Sequence, residues 1–205
     1  MSLTSQDYAQ AAQALSRSDL PVPPAAVQAV AEVEAPQGGF DTTGQPRILF
    51  EGHQFSRLTN GIYDKAYPDI SYPSWDRSKY AKGPTPDARN AAEHARLQKA
   101  VQLQRNAALM AASWGRFQLM GFNYEACGFP SLQSFINAMY ASEGAQLQAF
   151  VVFLQRDRGG EGARRLRQAL KTGDWGPFAQ FYNGPGYKDN RYDERLAQAF
   201  ERLSS

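Results

Sequence analysis

Cysteine and histidine are almost absent from this chain, which has Cys127 alone and a single pair of histidines, His53 and His94. One thiol excludes an internal disulfide, so stability must come from a packed core. The histidines are far apart in sequence, and there is no H-E-x-x-H and no cysteine cluster. That spacing excludes the usual zinc sites, and neither a metal nor any other cofactor is expected. Glycine loops of the P-loop or dinucleotide type are missing too, which removes the common phosphate-cradling chemistries. Charge of one sign is not in excess: 22 basic residues stand against 20 acidic ones, a net +2, so no nucleic-acid partner is expected. Long apolar runs are absent. AFVVFL at 149–154 falls far short of the roughly 20 residues that span a bilayer, so no integral membrane segment is expected. The start, MSLTSQDYAQAAQALSRSDL, has no basic leader followed by an apolar stretch, and the expectation is a product made in the cytoplasm without a signal peptide.

What is present is the composition of a folded chain, with 42% hydrophobic and 12% aromatic residues. A length of 205 residues suits one domain with a well-buried core. Tyr8, Ala11, Ala12 and Leu15 recur at helical spacing and predict a first helix over 5–16. Pro21, Pro23 and Pro24 interrupt it, and Pro24 is placed to open a second helix that ends near Ala35. FDTTGQPRILFEGHQF, residues 40–55, carries the one strand signal and reads as a hairpin about Gly44. Residues 57–84 are irregular and hold Tyr63, Tyr67, Tyr72, Trp75 and Tyr80, which suits the wall of a binding cleft. Thr85 as cap, Pro86 at the first helical position and Asp87 in the first turn launch a long helix to about Ala112. Further helices fit 131–142, 145–156, 162–171, 174–182 and 190–203. The residues thus predict an α+β fold, predominantly α-helical, with one small β-hairpin beside a helix end. Between Arg156 and Lys171, Arg158, Arg164, Arg165 and Arg167 outnumber Asp157 and Glu161. That segment reads as a solvated helix face, or as a patch for an anionic envelope polymer.

Two glutamates stand at the end of the second predicted helix. At 100° per residue, Val27, Val30, Ala31 and Glu34 share one stripe, whereas Glu32 points roughly 160° away, toward water. A carboxyl among apolar side chains at a helix C-terminus is desolvated and faces the negative end of the helix dipole. Both effects favour its protonated form, as a general acid requires. The alternative is a side chain that turns outward where Pro36, Gly38 and Gly39 stop the helix. Glu51 strengthens the acid reading, because in the predicted strand it alternates with Leu49, His53 and Phe55, an odd place for a charge unless it faces a cleft. Two carboxylates beside an aromatic groove are the minimum for glycoside hydrolysis. Cys127, between Phe122 and Phe129 and with no histidine near it in sequence, reads as a small buried hydrophobe.

Four blocks carry a resemblance: A-E-V-E at 31–34, I-L-F-E-G-H at 48–53, A-S-W-G-R-F-Q-L-M-G-F-N at 112–123 and F-Y-N-G-P-G-Y at 181–187. In this order they resemble the N-acetylmuramidase family of bacteriophage and prophage endolysins, from about Pro24 to the C-terminus. More distantly the chain is similar to the lysozyme-like superfamily, in which a helix ends in a catalytic glutamate and is followed by G-x-x-Q and Y-N. Here those positions are Glu34, Gly115 to Gln118, and Tyr182-Asn183. The resemblance implies a lysozyme-like muramidase domain over 1–205, with 1–20 as an N-terminal helical extension. It implies a bacteriolytic peptidoglycan hydrolase that cuts the β-1,4 bond between N-acetylmuramic acid and N-acetylglucosamine. Glu34 and Glu51 would be catalytic, and Gln118, Tyr182 and Asn183 would contact substrate.

The amide of Gln118 suits an N-acetyl group or a structural bond equally, and Asn183-Gly184 also suits a plain helix C-cap. Trp114 and Phe117 read as core. Glycan strands are the expected partner of a monomeric enzyme that is made in the host cytoplasm, passes the membrane with help such as a holin, and acts on the cell wall. A lytic transglycosylase giving 1,6-anhydromuramic ends and a non-catalytic wall-binding module are the alternatives. Two departures stand out. Relatives usually follow the glutamate with serine where this chain has Ala35-Pro36, and they often carry arginine or another bulky residue at Gly52. The first ends the helix directly at Glu34, and the second removes a charge partner expected beside Glu51.

Overall fold

Helix starts follow the capping residues closely. In the computed structural model, which describes residues 2–205, Thr4 and Asp7 form a capping box that opens α1 (Ser5–Leu15). Pro24 is the first residue of α2 (Pro24–Glu34), and Thr85 caps α4 (Pro86–Met110) through the N–H of Ala88. Between them lies α3 (Gly52–Leu58). The C-terminal half is α5 (Leu132–Ala141), α6 (Glu143–Arg156), α7 (Glu161–Thr172), α8 (Gly176–Asn183) and α9 (Tyr192–Ser204). One antiparallel sheet, in the order β1 (Ile48–Phe50), β2 (Ala112–Trp114) and β3 (Leu119–Met120), completes a predominantly helical α+β fold.

The apolar run of α6 lies in the middle of the core. Ala149, Phe150, Val151, Phe153 and Leu154 are buried, and α1, α5 and α7 pack around this helix. Helix α2 is clasped by α1 and α9, and its Ala26, Val27, Ala29, Val30, Ala31 and Val33 are buried. Each fully buried valine contributes about 1.5 kcal/mol or more. Apolar burial along almost the whole of α2 thus fixes where its last residue, Glu34, emerges. Among the described residues no helix is long and apolar enough to cross a membrane.

Three expectations need correction. The hairpin at 40–55 reduces to a turn at Gly44 closed by one bridge, Phe40 to Pro46, and its returning limb pairs instead with β2, Ile48 opposite Trp114. The limb is strand only to Phe50, because β2 begins where α4 ends. The N–H of Glu51 donates to the carbonyl of Ala111, and beyond that no partner strand remains. Residues 52–58 therefore form a helix, and Glu51 is its N-cap rather than a strand residue alternating with His53 and Phe55. Finally, α4 reaches Met110, close to the expected end, but is interrupted at Gln104, whose φ of −153° is not helical. Asn90 and Glu93 of this helix are buried despite their polarity.

The arginine-rich segment is a surface helix with local partners. Glu161 pairs with both Arg164 and Arg165, and Arg167 donates to the carbonyl of Leu15. Cys127 is buried, and its desolvated thiol is pushed up to about 12, which makes it inert at neutral pH.

Candidate active site

The C-terminal end of α2 has no basic residue in its last turn, and its free carbonyls are met from elsewhere in the chain. Arg195 of α9 donates to the carbonyl of Val33 at 2.9 Å, and Arg116 donates to that of Ala35 at 3.0 Å. Ala35, with φ −137° and ψ 80°, leaves the helix, as the following proline requires. The chain then turns at Gly38 and Gly39. A side chain at Gly39 would overlap the amide of Gln146, 2.2 Å away, and the N–H of Gly39 donates to the buried carboxylate of Glu143. This tight seat directs the chain away from Glu34 and into β1.

Glu34 is partly buried at the junction of two cleft compartments, of about 490 and 330 Å³. Desolvation pushes its carboxyl from 4.5 up to about 7, and this outweighs the hydrogen bond from Asn183 and the charge of Arg195, both of which favour ionisation. Nδ2 of Asn183 donates to Oε1 of Glu34 at 2.8 Å, while Oδ1 of Asn183 is buried without a partner. A turned amide can accept the proton of the acid form, so Asn183 can serve both states of Glu34. Tyr192, at the start of α9, lines the same compartment; burial, then the charge of Glu34, pushes its hydroxyl up to about 12.

Glu51 lines the larger compartment with Glu34. Its carboxylate makes no capping bond to α3 and turns outward instead. The hydroxyl of Tyr80 reaches both oxygens, at 2.9 and 3.0 Å, and in turn accepts from Nε1 of Trp75 at 2.7 Å. Burial and the nearby Glu51 raise the pKa of Tyr80, which keeps its hydroxyl a donor. Nδ1 of His53 lies 3.3 Å from Glu51. Glycine at 52 also has a steric reason, since a Cβ there would stand 2.3 Å from the ring of Tyr72. The space that a bulky residue would occupy is filled by Tyr72, and the hydrogen-bond partner of Glu51 is Tyr80, with the ring of His53 beside it.

The aromatic loop divides by role. Tyr63 stacks on Phe55 and donates to the carbonyl of Leu103, Tyr67 meets the ring of Tyr63 edge-on, and Tyr72 is buried. These three form the inner buttress. Only Trp75, 59% exposed, and Tyr80 line the compartment shared with Glu51.

Gln118 lines the smaller compartment with φ of +46°, a left-handed conformation that costs a non-glycine residue about 1 kcal/mol. Its amide accepts from Ser113 and donates to the carbonyls of Gly115 and Arg47, pinning the turn between β2 and β3. Gly115 is required there, because a Cβ would lie 2.4 Å from Gln146 and its φ is +71°. The hydroxyl of Tyr182 donates to the carbonyl of Phe117 at 2.6 Å, and its ring packs among Phe150, Phe153 and Phe178. Tyr182 thus stands behind the cleft and ties the Y-N pair to the G-x-x-Q turn. Trp114 and Phe117 are core, and Phe117 stacks on Phe150.

The sequence reading missed Glu93, Arg195 and Tyr192. Glu93 is 3% exposed and accepts from the N–H groups of Phe50 and Ala81 and from Arg96. It therefore clamps the residues next to Glu51 and Tyr80 to α4. Asn90, one turn earlier, accepts from the N–H of Ile48. Spacing three apart on α4 was the available signal for Asn90 and Glu93. Arg195 lies among the charges of an amphipathic helix and gave none.

A partly buried acid with a pKa of about 7, sharing a cleft with a second, hydrogen-bonded carboxylate, can deliver a proton to one face of a bound molecule while charge is held near another. Among solved structures, the crystal structure of a Burkholderia AP3 phage endolysin is similar to this chain, with 39% identity and a TM-score of 0.80 over 99% of this chain and 71% of that one. No curated protein matches the chain. A sequence model of the N-acetylmuramidase family matches residues 23–204, nearly its whole length. With its lysozyme-like, mostly helical fold, the chain belongs to the N-acetylmuramidase family of peptidoglycan hydrolases.

Proposed function

We propose that the chain hydrolyses the β-1,4 bond between N-acetylmuramic acid and N-acetylglucosamine in peptidoglycan, with Glu34 as general acid. The observation that carries this reading is the desolvated carboxyl of Glu34, held near pH 7 in a cleft that also holds Glu51. Glu34 gives its proton to the bridging oxygen as the bond from that oxygen to the muramic C1 breaks. Glu51 takes a proton from the attacking water or stabilises the cationic sugar, and the new C1–O bond comes from solvent. Tyr80 orients Glu51, and Trp75 offers a flat apolar face to a sugar ring.

Asn183 positions Glu34 directly, whereas Tyr182 acts from behind the cleft wall. Gln118 forms part of the cleft floor, with its amide committed to the β2–β3 turn. In this reading residues 1–205 form one muramidase unit, and α1 is an added helix packed on α2 and α6. The protein works as a monomer on the wall, after synthesis in the host cytoplasm and passage through a membrane opened by a partner such as a holin.

Purified cell walls test the proposal. The protein should clear their turbidity and release muropeptides, and Glu34→Gln should stop both while leaving the helical circular dichroism unchanged. Undiminished lysis by that variant would remove Glu34 from the mechanism.

A further inference from the structure

A second recess, of about 660 Å³, opens on the outer side of the last turn of α2, against α9. Its charged and polar lining is Glu32, Arg116, Arg195, Gln198 and Arg202. Val33, Pro36 and Arg195 line both this recess and the compartment that holds Glu34 and Glu51, so the recess adjoins the cleft as a lateral branch across a shared wall.

Three guanidinium groups face one carboxylate there. Glu32 is engaged by Arg202, while Arg195 and Arg116 donate to the neutral carbonyls of Val33 and Ala35. Among the described residues, neither Arg195 nor Arg116 has a carboxylate within 4.0 Å. The branch therefore carries surplus positive charge on planar, fork-shaped donors, which match a carboxylate in geometry as well as sign.

We propose that this branch receives the stem peptide of the muramic acid at the cut bond, with its carboxylates against the arginines. The proposal rests on the muramidase reading above. The sugars of the glycan strand are neutral, and its anionic groups are carried on the peptide attached through the lactyl ether of muramic acid. That peptide leaves the strand sideways. A substrate of this shape calls for a lateral, cationic branch beside the catalytic carboxyl, and the recess between α2 and α9 is one. The enzyme thus reads the peptide as well as the sugars.

The test uses the whole chain on two substrates prepared from the same sacculi: strands with their stem peptides, and strands freed of them by an amidase. Wild type should show the higher kcat/KM on the peptide-bearing strands. Arg202→Ala, which removes a cation and releases the charge of Glu32, should reduce that preference about fivefold, the size of one exposed charge contact. Gln198→Glu adds an anion without breaking a native pair and should act in the same direction. A preference equal to that of wild type in both variants, or an equal loss on both substrates, would overturn the stem-peptide site. Failure of wild type to cut either substrate would overturn the muramidase reading, and this proposal with it.

Discussion

Glu34 and Glu51 are the same residue type at opposite ends of helices, and their surroundings differ accordingly. Glu34 closes α2, where the carbonyls point and a negative charge is least welcome, and it is desolvated by a helix buried along almost its whole length. Glu51 opens α3, at the end where amides point, and accepts from a tyrosine that is itself held by a tryptophan. One site favours the protonated form of its carboxyl. The other is built to hold a carboxylate in place. Local chain direction sets this contrast: the helix that delivers Glu34 ends at a proline, and the strand that delivers Glu51 runs out of partner and turns into a helix.

Removing the acid should have the largest effect. Glu34→Gln is expected to lower muropeptide release about 10³-fold, in the range of a lost general acid. The same variant reports the pKa through stability. A folded-state pKa of about 7 against an ordinary 4.5 means that the native protein holds the proton more tightly than the unfolded chain. The contribution of Glu34 to wild-type stability is therefore full below about pH 4.5 and is lost as pH rises through 7. Glu34→Gln lacks this loss, so denaturant titrations at pH 4 and pH 8 should show wild type losing on the order of 2 kcal/mol more than the variant. An equal pH response in both proteins would mean that Glu34 ionises normally.

Glu51→Gln should cost about 10²-fold in kcat without moving the alkaline limb of the pH profile, which belongs to Glu34. A shift of that limb would mean that the two carboxyls titrate together. Glu93→Gln turns a buried acceptor of two N–H groups and an arginine into a group that must also donate, and should cost about 2 kcal/mol in urea denaturation. Unchanged stability would free the Glu51 side of its clamp. Asn183→Ala removes a bond that lowers the pKa of Glu34, so the alkaline limb of kcat/KM should move to higher pH and the rate should fall about tenfold. The smallest effect is assigned to Tyr80→Phe. Losing one hydroxyl bond to Glu51 should lower kcat about fivefold, while tryptophan fluorescence reports the change at Trp75.

Helix by helix, much of this architecture was legible beforehand, because its signals are local. The caps at Thr85 and Pro24 and the stripe of Tyr8, Ala11, Ala12 and Leu15 depend on residues a few positions apart. Position on the stripe also brought Glu34 to the edge of buried surface, where the structure raises its pKa. Glu51 shows where local reasoning stops. Its strand pattern was plausible until β2, sixty residues downstream, limited β1 to three residues. Nor does spacing reveal that Arg195 and Arg116 end α2, that Glu93 holds β1, or that Tyr72 fills the space over Gly52. These contacts join positions far apart in sequence. The aromatic loop was legible as a group but not residue by residue, since Tyr63, Tyr67 and Tyr72 pack inward while Trp75 and Tyr80 face the cleft.

The pairing of an acid with a separate carboxylate is tested most directly by mass spectrometry of fragments released from purified peptidoglycan in ¹⁸O-labelled water. Hydrolysis assisted by Glu51 predicts reducing N-acetylmuramic acid ends that each carry one solvent oxygen at C1. Unlabelled 1,6-anhydromuramic ends would contradict it, because the substrate's own hydroxyl would then have taken the place of the water assigned to Glu51.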